Sequence, residues 1–428
     1  MPAKSAIERR LKRFEDFEND YSPNPNENYT KKWDAKLEEF SNDIEKYYDE
    51  NRQTDEEKEQ KLKILREIED YLVNQLFVNP INDVNYEVRA VVPFGSSASA
   101  LGMRGGDLDM IICVHPPMGK KQKGEIKRRT NDILREIFNR IQSGKMLNGR
   151  KKKDMEHIKE ARVPIITGFI DGVEIDISIS MTFLVSEQYL AAKMIDAYEK
   201  ENLEKDQFCR YDRRFILLAA FVKKWMKSKK TDENEDYYKT VFPNSCCTVL
   251  LVVFFMKQYK LLPNLGTRDP GMIDNVSWVK ARNGENGSFG IPNQSAKYWR
   301  ESNYCEVSLG TLFLLFLEYY AYFDFKTNKI IVEKGQLRWK SERDRVNKIY
   351  LQDVFGNENM TKSVRQVTML QKCFRDAMKI VINNEGDKIE EELMEDVLPD
   401  VCSYSKSEMR KLRKQGLHFG PKPRKFEK

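Results

Sequence analysis

The chain has 428 residues, of which 40% are hydrophobic and 33% charged, and its net charge is +6. This length is typical of two or three domains, and the apolar content is enough to form buried cores, which excludes a disordered acidic protein. Seven cysteines without a CxxC pair exclude a zinc ribbon and a disulfide framework. The N-terminus has no signal-peptide core, and the longest apolar run, residues 248–256, is about half of what a bilayer requires. We therefore expect a soluble protein of a reducing, intracellular compartment.

The spacing of apolar residues divides the chain into four regions. Residues 1–78 are predicted to form N-terminal helices, the later part of which packs on a central helical domain. Residues 79–185 contain short β-branched runs and are predicted to form a domain of mixed strands and helices around a basic insert at 119–153. Residues 186–385 contain the most apolar helical segments, and 386–428 are typical of a charged tail.

Short apolar segments in the second region predict four strands, at residues 88–94, 108–114, 163–170 and 173–179. A Gly95-Ser-Ser turn follows the first strand, and Asp107 and Asp109 open the second. Because residues i and i+2 of a strand point to the same face, these two carboxylates project together. Two like charges so close are unfavourable unless a cation lies between them.

Asp176 lies in the fourth predicted strand, which alternates strictly between apolar and polar residues. A bare DxD pair is more often a pair of exposed acids at a strand end, so the third carboxylate decides the interpretation. If the second and fourth strands are neighbours, three carboxylates border the glycine turn. Such a group is typical of a two-metal site for phosphoryl transfer, and a glycine turn lets backbone amides approach phosphate oxygens.

These motifs resemble those of the DNA polymerase β-like nucleotidyltransferases. The run Lys159-Glu-Ala-Arg-Val-Pro-Ile165 is similar to the subgroup of noncanonical poly(A) and poly(U) polymerases, the terminal uridylyltransferases. Later segments are similar to the central and poly(A)-polymerase-associated parts of that family, at residues 221–227, 244–255, 308–335 and 349–355. The resemblance implies an α+β fold, in which a nucleotidyltransferase domain is joined to a mostly helical central domain. It also implies template-independent transfer of nucleotides from NTP to RNA 3′ ends, with two Mg²⁺ or Mn²⁺ ions.

The resemblance assigns roles to individual residues. The catalytic metal ligands would be Asp107, Asp109 and Asp176. The nucleotide-binding residues would be Gly95, Ser96, Lys223, Lys227 and Ser245. The two lysines are four apart and share a helix face, which in an unrelated helix would simply be solvated.

The basic residues at 119–153 are either a solvated surface or a contact for the RNA backbone, since lysine and arginine neutralise phosphates. Within this stretch, the candidates for RNA binding are Lys151, Lys152 and Lys153.

Three departures from the family pattern concern the nucleotide base. Glu187, or its neighbour Gln188, stands where the family has an asparagine facing the ribose, and Cys246 replaces a stacking tyrosine. The histidine that reads uracil is absent, and its place offers Asn357 and Asn359. We therefore expect an enzyme that uses UTP but makes mixed tails, such as the U and G tails of the poly(UG)-adding branch that acts in RNA silencing.

Other interpretations remain open. Tyr238 or Phe242 would supply the stacking ring in an ordinary uridylyl- or adenylyltransferase. A catalytically inactive RNA-binding scaffold is disfavoured by the three aspartates, and a nucleotidyltransferase with a small acceptor is disfavoured by residues 308–355. Because no accessory RNA-binding module is visible, we expect a protein partner to supply RNA choice. We further expect a monomeric catalytic unit in the cytoplasm, including ribonucleoprotein granules, with the nucleus as an alternative.

Overall fold

A computed structural model describes residues 27–115, 123–161, 163–181, 212–262, 272–280, 286–292, 307–332, 335–352, 359–384, 388–396 and 398. The chain divides into two compact units. The unit that we call the sheet unit comprises residues 51–209 and 265–293. The unit that we call the helical unit comprises residues 1–50, 210–264 and 294–428.

A five-stranded mixed sheet forms the centre of the sheet unit. Its strands are β1 (Glu87–Pro93), β2 (Leu108–His115), β3 (Lys152–Ile158), β4 (Ile165–Ile170) and β5 (Val173–Ser180). Their order is β1-β2-β5-β4-β3, in which only the β2–β5 pair is parallel. The four predicted strands are confirmed, and so is the mixed α+β fold. Strand β3 was not predicted, because its polar sequence lacks the β-branched alternation typical of strands.

The first two helices of the described residues pack on different units. Helix α1 (Glu27–Asn51) buries Phe40, whose ring lies edge-on to Phe221 in the helical unit, with centroids 5.4 Å apart. Helix α2 (Asp55–Tyr71) buries Ile64 and its neighbours at helical spacing in the core of the sheet unit. The prediction that the later helix packs on the central helical domain is therefore wrong. Apolar periodicity indicates that a helix has a buried face, but not which surface covers it.

The predicted basic insert is part of the sheet unit's core. Helix α3 (Lys123–Gln142) buries Ile133, Ile137 and Ile141 completely against the sheet. The strand that follows it, β3, completes the sheet edge. The sequence of residues 119–153 does not indicate this buried helix clearly, because most of its residues are polar or charged. The apolar residues of an amphipathic helix are a minority of its sequence.

The helical unit is built from apolar helices and a small sheet. Among the described residues, the other helices are α4 (Arg214–Ser228), α5 (Glu235–Val241), α6 (Ser245–Gln258), α7 (Leu309–Ala321), α8 (Val367–Asn383) and α9 (Ile389–Glu395). The other strands of this part of the chain are β6 (Met272–Lys280) and β7 (Asn286–Pro292), a hairpin within the sheet unit, and β8 (Asn328–Ile331), β9 (Gln336–Trp339) and β10 (Leu351–Gln352). The small sheet has the order β10-β8-β9.

One apolar stretch of the described residues, Glu235–Gln258, is long enough to cross a bilayer. Of its most apolar window, 72% is buried inside the protein, which is how the core helix of a folded domain packs. Helix α6, the main part of this stretch, is buried on nearly all sides.

Candidate active site

Three carboxylates lie at the parallel pair of strands. Asp109 of β2 is in direct register with Asp176 of β5, so the two side chains are neighbours on one face of the sheet. Asp107 comes immediately before β2. The alternate residues of the two strands, such as Met110 and Ile177, lie in the core on the opposite face. The predicted adjacency of these two strands is therefore confirmed.

A tight turn after β1 brings the backbone against these carboxylates. Gly95 has a φ of +63°, which glycine adopts without steric cost. A methyl group in place of its hydrogen would lie 2.8 Å from Oδ2 of Asp109. Ser96, the predicted phosphate contact, lies in the same turn. The neighbouring Ser97 ties the turn to the strand, because its hydroxyl donates to the Asp107 carbonyl at 2.8 Å and accepts from the Asp109 amide at 3.1 Å.

The surroundings of Asp176 favour its protonated form. Burial raises the pKa of Asp176 above its usual range, a hydrogen bond from Thr167 opposes this rise, and the negative charge of Asp107 adds to it. Thr167 is the register partner of Asp176 on β4. A carboxyl group with a raised pKa beside a second carboxylate is typical of a site that takes up a proton or a cation.

The start of α2 braces the loop that carries Asp107. Thr54 and Glu57 form a capping box, in which one Glu57 oxygen accepts from the Thr54 amide at 2.9 Å. The other Glu57 oxygen accepts from the amide of Gly105 at 2.9 Å. One carboxylate therefore fixes both the helix start and the loop two residues before Asp107. The spacing T-x-x-E signals the capping box in the sequence, but it does not show which loop the glutamate also holds.

Lys61, one turn further along α2, is a buried cation near the carboxylates. Its exposure is only 6%. Burial lowers the pKa of Lys61, and the negative charges of Asp107, Glu57 and Asp109 oppose this effect. Sequence analysis missed Lys61, since a lysine among the charged residues of an amphipathic helix gives no signal of burial.

The donor set fits hard divalent cations. Carboxylate oxygens are the ligands that Mg²⁺ takes in proteins, and the turn at Gly95 brings the backbone close to the Asp109 carboxylate. Within the described residues, no three His, Cys, Asp or Glu side chains are grouped closely enough to ligate one metal ion. Carboxylates repel each other without a cation between them. We therefore expect these side chains to turn toward each other when an ion binds.

The predicted triphosphate ligands belong to the helical unit. Lys223 and Lys227 are one turn apart on α4, the first half-buried and the second exposed. Between them, Lys224 is used within the fold, since its ammonium lies 3.8 Å from the centroid of the Tyr47 ring and pairs with Glu390. Lys224 therefore makes a structural contact, whereas Lys223 and Lys227 are half-buried and exposed, respectively.

The first turn of α6 carries two further predicted residues. Ser245 and Cys246 are both exposed at the start of this helix. The preceding residue, Asn244, caps the helix by accepting from the amide of Cys247 at 2.9 Å. The serine and the cysteine are therefore held on a fixed helix end and face outward.

Asn359, predicted to lie near the base, has a structural role. Its exposure is 3%, and its side-chain oxygen accepts from the amides of Leu351 at 3.1 Å and Thr361 at 3.0 Å. Its side-chain nitrogen donates to the carbonyl of Ile349 at 2.9 Å. Both edges of the amide are occupied within the fold, so Asn359 does not offer them to a base. The other predicted base contacts, Glu187, Gln188 and Asn357, lie outside the described residues.

The alternative stacking rings are Tyr238 and Phe242, which stack on each other with centroids 5.1 Å apart. Phe242 is 2% exposed and belongs to the core. Burial raises the pKa of the Tyr238 hydroxyl to about 12. Of the two rings, Phe242 therefore has no free face for a base.

Two of the candidate RNA-binding lysines lie on opposite faces of the sheet edge. Lys153 of β3 is in register with Phe169 of β4, which lies two residues from Thr167 and hence on the carboxylate face. Lys152 is in register with Ile170, which belongs to the core face. Lys151 comes just before the strand and is exposed. Because side chains alternate between the two faces of β3, Lys153 is aligned with the carboxylate face and Lys152 with the core face.

Comparison with known proteins agrees with this arrangement. Residues 40–200 match the family described as poly(A) RNA polymerase, mitochondrial-like, central palm domain. The chain is 25% identical over 334 residues to the mitochondrial poly(A) RNA polymerase of Drosophila melanogaster, covering 72% of this chain and 48% of the relative. It is 22% identical over 325 residues to the poly(A) RNA polymerase gld-2 of Caenorhabditis elegans, covering 74% and 25% of the two chains. The chain thus spans half or less of the length of these relatives.

Solved structures share the fold. A crystal structure of mtPAP with CTP has a TM-score of 0.61 at 18% identity, covering 87% of this chain and 76% of that one. A structure of Cid1 with the UTP analogue UMPNPP has a TM-score of 0.55 at 18% identity, covering 83% and 98%. These solved structures show which fold the chain has. Together with the match of residues 40–200 to the palm-domain family, they make the chain similar to the noncanonical poly(A) and poly(U) polymerases.

Proposed function

We propose that this protein adds ribonucleotides, without a template, to the 3′ end of RNA. The observation that carries the proposal is the register of Asp109 with Asp176 beside the Gly95 turn. This arrangement brings carboxylates and a close backbone approach to one place, as transfer of a nucleotidyl group requires. The family relationship supports RNA as the acceptor.

In the proposed reaction, the oxygen of the RNA 3′-hydroxyl forms a bond to the α-phosphorus of an NTP. The bond from that phosphorus to pyrophosphate breaks, and the hydroxyl loses its proton. Asp176, the register partner of Asp109, would help to activate this hydroxyl, and its carboxylate would accept the proton. Two Mg²⁺ or Mn²⁺ ions held by Asp107, Asp109 and Asp176 would activate the hydroxyl and neutralise the leaving pyrophosphate.

We propose that the tail is mixed, with uridine and guanosine as its main residues. The exposed Cys246 offers no ring, and stacking on an aromatic side chain contributes about 1–3 kcal/mol per base. Its absence weakens the preference for any single base. Crystal structures of mtPAP in complex with CTP, UTP, GTP and ATPγS have the same fold, which supports a pocket that admits several bases.

Incubating the protein with an unstructured RNA and equimolar NTPs should produce extended RNA whose tails contain more than one base. Sequencing the tails measures composition, and omission of RNA is the control. Incorporation into a small acceptor without RNA, or no incorporation at all, would contradict RNA tailing. Tails of nearly pure U or A would leave the tailing proposal intact but identify an ordinary uridylyl- or adenylyltransferase.

We propose that Lys223 and Lys227 bind the triphosphate, with Ser96 and Ser245 as further contacts. Changing either lysine to alanine should raise the KM for NTP roughly ten- to hundred-fold, because a charge-assisted contact contributes about 1.5–3 kcal/mol, and changing both should raise it further. The affinity for RNA should change little. The matched control is Lys379→Ala, an exposed lysine on α8. Unchanged NTP kinetics in the double variant would remove these lysines from the site.

We propose that Lys153, on the carboxylate face of the sheet edge, contacts the RNA backbone. Lys153→Glu should weaken RNA binding and flatten its salt dependence by about 0.7 in the slope of log K against log salt, the value for one phosphate contact of a single strand. Lys152→Glu is the control, because it makes the same change in a residue aligned with the core face. Equal effects of the two variants would indicate general attraction of charge.

We propose that a protein partner supplies RNA choice, that the catalytic unit acts as a monomer, and that the protein works in the cytoplasm, including ribonucleoprotein granules. The scarcity of accessory RNA-binding motifs in the sequence supports a partner.

A further inference from the structure

A small exposed surface of the helical unit combines apolar and basic side chains. Six large apolar side chains of the described residues are exposed, and three of them, Leu337, Trp339 and Val346, lie within ten residues. Trp339 is 79% exposed. In the same segment, Arg343 and Arg345 are exposed as well, whereas Arg338 points to the face of β9 opposite Trp339. We call Leu337, Trp339, Arg343, Arg345 and Val346 the hairpin surface.

The segment that carries the hairpin surface is basic. Residues 326–348 contain eight lysines and arginines and three acids, a net charge of +5. Neither Arg343 nor Arg345 forms a salt bridge with a described residue. Their charges are therefore available to a ligand.

The fold holds this surface rigidly. Trp339 lies on the edge strand β9, in register with Asn328 of β8. The next residue, Lys340, is 5% exposed, and its ammonium donates to the carbonyls of Phe325 at 2.6 Å and Asn347 at 2.8 Å. The loop after β9 is thus tied to the base of the hairpin, which reduces the entropy lost when a ligand binds.

We propose that the hairpin surface binds single-stranded RNA, with an unpaired base stacked on Trp339 and phosphates held by the arginines. Every base has an aromatic face that can stack on an exposed ring, whereas bases inside a duplex are already stacked. Guanidinium groups bind phosphate oxygens through paired hydrogen bonds. An acidic protein would match the charge but would gain less from an isolated flat ring. This inference rests on the proposed function, because it assigns the helical unit a contact with the RNA that is extended.

The test compares the affinity of the full chain for a 30-nucleotide unstructured RNA, measured by fluorescence anisotropy without NTP. Trp339→Ala should weaken binding about five-fold or more, and Trp339→Tyr should restore most of it, because a tyrosine also stacks. Arg343→Gln with Arg345→Gln should lower the salt slope by about 1.4, the sum for two contacts. Tyr322→Ala, another exposed aromatic of the helical unit, is the matched control.

Equal RNA affinities of the wild type and Trp339→Ala would overturn this inference. A loss of RNA affinity in the arginine variant alone would also overturn it, because that result would indicate general attraction of anions. Unchanged RNA affinity together with loss of a protein partner would also overturn it. Tailing of a six-nucleotide RNA, measured in parallel, should be unaffected by Trp339→Ala. Absence of tailing in the wild type would contradict the proposed function instead. Because RNA binding is measured without NTP, this result is distinguishable from failure of the RNA-binding inference.

Discussion

Replacing Asp176 with asparagine should abolish nucleotide incorporation and, without divalent cations, raise the melting temperature. The expected loss of activity is about 1,000-fold or more, because the change removes a proposed metal ligand and the proposed proton acceptor, and metal binding contributes several kcal/mol to such reactions. The stability gain follows from the raised pKa of Asp176, which means that its ionised form is less favourable in the folded state. Incorporation assays and thermal unfolding measure the two effects.

The sign of the stability effect depends on pH and on metal. In the wild type, a raised folded pKa makes the carboxylate unfavourable above that pKa, so the variant should be more stable at neutral pH. The difference should disappear as the pH falls below 3.8, the ordinary value for aspartate, where the group is protonated in both states. Added Mg²⁺ should stabilise the wild type and not the variant.

Glu174→Gln is the control for the Asp176 variant. It removes an exposed carboxyl two residues away on the same face of β5, and it should leave both activity and the response to Mg²⁺ unchanged. A wild-type level of tailing in Asp176→Asn, or an equal response of its melting temperature to Mg²⁺, would remove Asp176 from the proposed site.

The parts of the site that are predictable from sequence depend on alternation along single strands. Residues i and i+2 share a face, so the alternation around Asp176 and the DxD spacing predict which side chains project together. The register of β2 against β5 does not follow from these patterns, because the two strands are separated by a helix and two other strands. Sequence analysis gives the adjacency of these strands only as a condition, and the structure shows that the condition is met.

The residues that sequence analysis missed act through contacts between distant segments. Glu57 holds the amide of Gly105, 48 residues away, and no local pattern predicts such a contact. Contacts between distant segments also decide the role of Asn359, which the family pattern predicts to lie near the base. Its amide instead fixes the backbone of Ile349 and Leu351. Asparagine suits both roles, since it has donor and acceptor edges.

Replacing Gly95 with alanine should lower the rate of nucleotide incorporation about 100-fold. Alanine at a φ of +63° is strained, and its methyl group would lie 2.8 Å from Oδ2 of Asp109, closer than a carbon and an oxygen pack without displacement. Either the turn or the carboxylate must move. A displacement of about 1 Å at a reacting group can cost about 100-fold in rate. Single-turnover incorporation with saturating NTP and RNA measures this effect separately from binding.

Gly105→Ala is the matched control for the Gly95 variant. Gly105 has the same φ of +63°, but a methyl group there would meet nothing within 4 Å. Both variants should therefore lose a similar amount of stability, about 1–3 kcal/mol for a left-handed residue other than glycine. Only the Gly95 variant should lose most of its activity, because only there does the added carbon press on a carboxylate. Equal losses of activity would show that backbone strain in the turn and loop, and not the contact with Asp109, is responsible. Full activity in Gly95→Ala would separate the turn from the proposed site.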